Sequence, residues 1–456
     1  MAHGTTDIRL DLRGEEVLEA IVAKSSLVLR KIGGGRAGEV AAGRYLDNDE
    51  ITFEAIIATA AERTLAASGG RRVLAIQDTT EVNFSGRAAK RTGLGPAGDG
   101  VSPGLFCHPL LLVDIEHEAV LGIAAADIWT RPQAPAGNRK KRPVDTKESG
   151  RWLAATEACR TIGEVAAQVV TVADREADIY EHFAARPAQG TGGSVDMIVR
   201  ARHDRATVAG GPLFAMPETF ALMDVASVCV PPRGPGDKGR MAEVSIKAGR
   251  VEIVCPAHQR AQVKARGWPA TVTLGLVEIA EVLAPTGMTP LCWRLLTTLP
   301  VTTLAQATEV ARLYRLRWRI EQLFRTFKSD GLDFEATQVT DARRLFKLAA
   351  LGLVAAVRIL QLVDARDGGP RPATDVIDAD QIPAVAVISA GLEGKTARQK
   401  NHHPAGSLAW LSWVTARLGG WNCYYKPPGP KTMADGWKRL AERLEGYALA
   451  MATKHV

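Results

Sequence analysis

Val169-Val170-Thr171-Val172-Ala173-Asp174-Arg175-Glu176-Ala177-Asp178-Ile179 is the stretch whose reading decides the fold. Its first five residues are small or β-branched and uninterrupted by charge, the pattern of a strand buried on both faces. The run stops at a carboxylate, and a helix is expected from 177. The same grammar occurs earlier, where Val73-Leu74-Ala75-Ile76-Gln77 stops in Asp78-Thr79-Thr80. Carboxylates at the C-terminal ends of neighbouring strands point into the crevice where open α/β sheets place their chemistry. Working outward, strands are expected near 71–78, 105–115, 119–130, 168–174 and 195–201, with helices near 149–165 and 177–185. Strands in succession, followed by helix and strand in alternation, give a mixed α/β sheet flanked by helices. An RNase H-like core fits this order, with the first acid on the first strand and the second on the fourth.

The rhythm changes over 206–285. Val244, Ile246 and Ala248 alternate, a turn is expected at Gly249, and Val251 and Ile253 alternate again, as do Val272, Leu274 and Leu276. This reads as an inserted antiparallel β subdomain, with Pro231–Gly236 as a loop. A returning strand at 290–299 leads into a helix expected over 303–330. That helix carries Tyr314, Arg317, Glu321 and Lys328, spaced Y-x2-R-x3-E-x6-K, within about 60° of one another at 3.6 residues per turn. Leu313, Leu316, Ile320, Leu323, Phe324 and Phe327 form the adjoining apolar stripe. One carboxylate in a row of cations and a phenol suits a metal-binding acid held against an anionic substrate. Asp and Glu are hard oxygen ligands for Mg2+ or Mn2+, and two such ions about 3.5–4 Å apart can serve an in-line displacement at phosphorus.

Taken in order, the Asp78-Thr79-Thr80 string, the Asp174–Ile179 string and the Y-R-E-K helix resemble the DDE transposases of the insertion-sequence-four family. The similarity extends to Arg44-Tyr45, Lys147–Leu153, Trp293, Ala356–Leu362, Gly436-Trp437 and Leu444–Tyr447. The resemblance implies an N-terminal helical DNA-binding domain (1–66), an RNase H-like catalytic domain (67–366, with the insertion at 206–285) and a C-terminal helical dimerisation domain (367–456). It implies that Asp78, Asp174 and Glu321 are catalytic and hold two Mg2+ (or Mn2+) ions per site. It implies DNA contacts from Tyr314, Arg317, Arg325, Lys328, Trp293, Arg200 and Arg44, with Trp293 receiving a base flipped from the DNA end. The implied activity is cut-and-paste transposition. A homodimer would bind double-stranded transposon ends, cleave them through a hairpin intermediate and join the 3′-OH ends to target DNA.

Each residue also has a plainer reading. Alone, Asp78 is a strand-terminal turn acid, Asp174 a helix N-cap and Glu321 half of an i,i+4 pair with Arg317 or Arg325. Asp178 competes for the N-cap role and is expected to leave Asp174 freer. The plainer reading of Trp293 is a core tryptophan on a buried strand, that of Tyr314 a helix residue capping the core, and Arg200 and Arg44 are equally surface charges. The basic run Arg139–Arg142 tracks a phosphate backbone or is a solvated loop, and His402-His403 lacks metal-ligand spacing.

Composition sets the outer bounds. A chain of 456 residues exceeds one ordinary core. Its net charge of +7 favours an anionic partner. Six cysteines without a C-x-x-C pair read as buried thiols of a reducing cytoplasm. No apolar signal core opens the chain. The apolar run 345–363 carries Lys347, Arg358 and Gln361, so it is expected to be a core helix and no membrane partner is implied. The expected setting is the cytoplasm of a bacterium, at the nucleoid. The alternatives are a catalytically inactive end-binding protein or inhibitor, and a carboxylate-pair glycosidase. The glycosidase reading gives the cations beside Glu321 no role and needs sugar-stacking aromatics that are sparse at 5%.

Overall fold

The computed structural model describes residues 8–84, 91–132, 144, 147–185, 195–230 and 239–453. The chain opens with helices α1 (Ile8–Lys24), α2 (Leu29–Ile32), α3 (Arg36–Asp47) and α4 (Phe53–Ala67). Strands β1 (Arg72–Gln77), β2 (Thr80–Asn83), β3 (Gly95–Pro96), β4 (Pro103–Asp114) and β5 (Val120–Trp129) follow. Then come α5 (Gly150–Gly163), β6 (Gln168–Ala173), α6 (Tyr180–Ala184), β7 (Val195–Arg200), β8 (Leu222–Val230), β9 (Arg240–Val254), α7 (Arg260–Ala265), β10 (Thr271–Glu281) and β11 (Cys292–Thr297). The remainder is helical: α8 (Leu304–Leu316), α9 (Trp318–Arg325), α10 (Ala342–Ala365), α11 (Ile382–Leu392), α12 (Leu408–Leu418) and α13 (Pro430–Thr453). These elements form two compact units, both assembled from separate stretches of chain.

One unit comprises Ser68–Asp78 and Gly137–Trp318. Its strands run in the order β1-β6-β7-β11-β10-β9-β8. The pairs β1–β6 and β6–β7 are parallel, and every later pair is antiparallel, so the sheet is mixed. In β6 every residue after Gln168 is buried, the signature of a strand covered on both faces. The helix α5 packs on this parallel end and α8 on the antiparallel part. Trp152, Tyr180, Phe183, Met197, Leu276 and Leu296 are buried in the core between sheet and helices. Strand β9 alternates between buried and more exposed residues, as expected of a strand solvated on one face. No turn occurs at Gly249: β9 runs straight through it, pairing Gly249 with Leu276 of β10. A Cβ at 249 would stand 2.4 Å from the Phe220 ring, so the glycine admits an aromatic side chain rather than reversing the chain. The loop expected at 231–236 lies outside the described residues.

The other unit comprises Met1–Ala67, Thr79–Ala136 and Arg319–Val456. Its centre is α10, which packs against α1, α4, α12, α13 and β5. By length and composition α10 is the one described helix apolar enough to cross a membrane, yet most of it is buried inside the protein. Lys347 is tolerated there because its ammonium donates to the carbonyls of Leu46 (3.0 Å) and Asn48 (2.7 Å), at the end of α3. Trp437, Leu440 and Leu444 of α13 are buried within this unit. The linker after α10 places Gly368 and Gly369 at φ +112° and +130°, open only to glycine.

The single helix expected over 303–330 is three pieces. Thr303 and Gln306 start α8 with a capping box. Arg317 forms a turn between α8 and α9, and Thr326–Asp330 continues α9 as a π-helical turn. Apolar spacing alone does not distinguish an α-turn from the widened π-turn, which accommodates one extra residue.

Candidate functional site

Two strand ends organise the site. In the parallel pair β1–β6, Ile76 stands opposite Val172, so two residues further on Asp78 and Asp174 come level, each just past its strand. Both side chains are half-buried. Asp78 Oδ2 accepts a hydrogen bond from Arg317 Nη1 at 2.8 Å, an ion pair with side chains only 16% and 11% exposed. The Arg317 guanidinium lies 6.0 Å from the Tyr314 ring centroid and 5.8 Å from that of Trp318. Tyr314 is buried and meets Trp293 edge-to-face, centroids 5.3 Å apart at 71°. Trp293 itself is half-buried on β11, opposite Ile279. Arg200, at the end of β7, donates from Nη2 to the carbonyl of Cys292 at 3.1 Å. One unit thus links Asp174, Asp78, Arg317, Tyr314 and Trp293 through register and contact.

Asp174 does serve as an N-cap. Its Oδ1 accepts from the backbone N–H of Glu176 at 2.8 Å and caps the 3-10 turn Arg175–Ala177. Its other oxygen has no partner among the described residues. The expectation that Asp178 would take the cap is overturned. Asp178 is buried, forms an ion pair with Arg205, and accepts from the backbone N–H groups of Arg202 (2.7 Å) and His203 (2.8 Å). A fully buried carboxylate needs these partners, and they lie 24 or more residues away, beyond the reach of local sequence pattern. Glu176 is exposed.

Behind the two acids lies a polar relay that spacing did not reveal. Gln77 Nε2 donates to Thr156 Oγ1 at 3.1 Å, and Thr156 stands 2.8 Å from His182 Nε2. His182 Nδ1 lies 3.1 Å from the carbonyl of Ala177. A carbonyl can only accept, so Nδ1 carries the proton and Nε2 accepts from the threonine hydroxyl. Burial pushes the His182 imidazole down to about 4, against the opposing effects of the Ala177 bond and the Asp178 charge. The relay ties the residue before Asp78 to the turn that Asp174 caps. Residues 77, 156 and 182 share no motif, so only the fold brings them together.

The remaining candidates belong to the other unit. Glu321 is half-buried on α9, and Arg325 is exposed on the same helix. Lys328, in the π-turn, donates to the carbonyl of Glu81 at 3.2 Å. Arg44 is exposed on α3. The basic run Arg139–Arg142 lies outside the described residues. Asp78 and Asp174 have the donor chemistry of a Mg2+ or Mn2+ site, and Asp174 keeps one oxygen uncommitted among the described residues. Among the described residues, no three His, Cys, Asp or Glu side chains are grouped to hold a metal ion.

Comparison with known proteins adds a match over part of the chain. Residues 137–358, just under half of the chain, match the family described as the transposase DDE domain, which supports a DDE transposase. Asp174 and Glu321 fall within the matched segment, and Asp78 precedes it. The chain is also similar to the piggyBac transposase, solved by cryo-EM as a synaptic complex with hairpin DNA, at 7% identity and a TM-score of 0.33. That alignment covers 83% of this chain and 54% of the piggyBac chain, so this chain spans about half of that protein.

Proposed function

We propose that this chain is a cut-and-paste DDE transposase with an RNase H-like core, of the insertion-sequence-four family and resembling the Tn-five transposase. The match of residues 137–358 carries the reading, and the level placement of Asp78 and Asp174 on adjacent parallel strands supports it. Asp78, Asp174 and Glu321 are the proposed holders of two Mg2+ (or Mn2+) ions. Bound there, divalent cations would lower the barrier to in-line attack at phosphorus.

The protein's own side chains have distinct parts in this scheme. Asp78 and Arg317 hold each other before DNA arrives, and an incoming phosphate competes for the guanidinium. Arg325 and Lys328 add positive charge for the DNA backbone. Trp293, backed by the buried Tyr314 ring, offers an aromatic edge for a base taken out of the stack, and the proposed DNA contact of Tyr314 is a hydrogen bond from its hydroxyl to a phosphate. Arg200 and Arg44 are further proposed DNA contacts. The working form is a homodimer on paired inverted ends, acting in the bacterial cytoplasm at the nucleoid, and its end products pass through a hairpin.

The test is direct. Purified protein, Mg2+ and DNA carrying the inverted repeats that flank the coding region are expected to yield nicked and hairpin products on denaturing gels. The Asp174→Ala variant is expected to yield none. Cleavage by that variant overturns the site assignment, and a gel shift without cleavage by the unaltered protein favours an inactive end-binding protein.

A further inference from the structure

Three polar residues interrupt the apolar run of α10, and two are accounted for. Lys347 caps α3 as described, and Gln361 donates its amide to the Leu121 carbonyl at 3.0 Å. Arg358 has no hydrogen-bond, ion-pair or ring partner among the described residues. It lines a cavity of 1120 Å³ whose walls come from α1, α4, β5, α10 and α13, all of one unit. Arg63, from α4, lines the same cavity and is likewise unpartnered among the described residues.

Five acids line the cavity, Glu15, Glu16, Glu19, Asp375 and Asp378, and none makes a hydrogen bond or ion pair to Arg63 or Arg358 among the described residues. Glu16 is held by Arg13 at 2.6 Å and Asp375 by Arg371 at 2.7 Å. Glu19 and Asp378 act on Arg358 only through longer-range charge. Burial first, and the charge of Arg63 second, push the Arg358 guanidinium down to about 10. Burial also pushes Arg63 down. Arg358 is half-buried and Arg63 exposed, so a ligand can reach both guanidiniums from solvent, and neither holds the carboxylate or phosphate that an arginine fork fits.

We propose that Arg63 and Arg358 form a binding site for a phosphate group carried on a molecule with an apolar or aromatic body. The phosphate bridges the two guanidiniums, each suited to paired contacts with its oxygens, and relieves their repulsion. Leu18, Ile56 and Val357 line the cavity as apolar wall for the body. Glu19 and Asp378 are placed to accept hydrogen bonds from hydroxyl or amino groups on it. The volume is on the order of that found in organic-ligand sites. The phosphate belongs either to a free small molecule or to a DNA backbone. The site stands independently of the transposase reading.

The test uses the full chain and its variants Arg358→Met and Arg63→Gln in thermal melts. Inorganic phosphate and adenosine monophosphate are expected to raise the melting temperature of the unaltered protein, and adenosine is not. Arg358→Met is expected to melt at or above the unaltered protein in phosphate-free buffer, because an unpartnered charge is replaced by an apolar chain of similar length. It should lose the phosphate-induced rise. Arg63→Gln, on an exposed position, should lose much of that rise and decides the matter if Arg358→Met does not fold. No rise in the unaltered protein, or an undiminished rise in Arg63→Gln, overturns the site. Fluorescence anisotropy with a short labelled duplex identifies the source. Weaker duplex binding by Arg63→Gln, with inorganic phosphate competing, assigns the site to DNA; unchanged duplex binding assigns it to a small molecule.

Discussion

At the residue scale, Asp174 carries two roles on two oxygens. Oδ1 caps the turn at Arg175–Ala177, and the other oxygen is uncommitted among the described residues. Substitution by alanine removes both roles, and loss of the cap alone costs about 1 kcal/mol. Asparagine caps as well as aspartate does but lacks the negative charge that a divalent cation needs. Asp174→Asn is therefore expected to keep the unaltered melting temperature while abolishing Mg2+-dependent cleavage, checked by calorimetry beside the gel assay. Retained cleavage would show that the charge is dispensable. Arg317→Ala, by contrast, strips Asp78 of its ion-pair partner in a mostly covered position. It is expected to lower both stability and cleavage, whereas Asp174→Asn lowers cleavage only. Both aspartates were legible in the sequence because each ends a charge-free run. Arg358 reads in the sequence as one residue of the 356–362 string and as a reason to doubt a membrane span; that it has no partner among the described residues is a property of the packed helices and has no sequence signature.

At the element scale, the strands and helices with long periodic runs were legible, and the short or irregular ones were not. β2 and β3 have four and two residues and owe their existence to pairing with β4. The π-turn at 326–330 leaves the apolar spacing almost unchanged. Gly249 read as a turn because glycine commonly ends a strand, whereas here it clears space for Phe220. Gly249→Ala is accordingly expected to destabilise the protein by roughly 1–3 kcal/mol, the range for overpacking, and Phe220→Leu to recover part of the loss in the double variant. Urea denaturation measures both; additive losses would deny the contact. The relay through Thr156 and His182 makes a second claim at this scale, since it joins β1, α5 and α6. The folded-state imidazole titrates near 4, below the unfolded value of about 6.5. The unfolded chain therefore binds the extra proton first as pH falls. The stabilisation is fully present above about 6.5 and is lost as pH falls towards 4. Between pH 7 and 4.5 the unaltered protein is expected to lose roughly 2–3 kcal/mol more than His182→Gln. Equal losses in the two proteins would remove the relay from the account.

At the scale of the whole molecule, the family match and the folded units do not share boundaries. The matched segment, 137–358, omits β1 and ends at Arg358, inside α10. Yet β1 is the parallel partner of β6 over Arg72–Ile76, and its Gln77 donates into the relay. Without it, the edge of β6 presents unpaired N–H and C=O groups in what is otherwise a buried strand. The truncated α10 would also lose α1, α4, α12 and α13, the neighbours that cover its apolar surface. Isolated 137–358 is therefore expected to show secondary structure by far-UV circular dichroism, to bind a hydrophobic dye, and to lack a cooperative thermal transition. The full chain is expected to melt cooperatively without binding the dye. A sharp transition in the fragment would mean that β6 and its neighbours hold their register without β1. The level pairing of Asp78 with Asp174, on which the catalytic reading leans, would then lose its structural necessity.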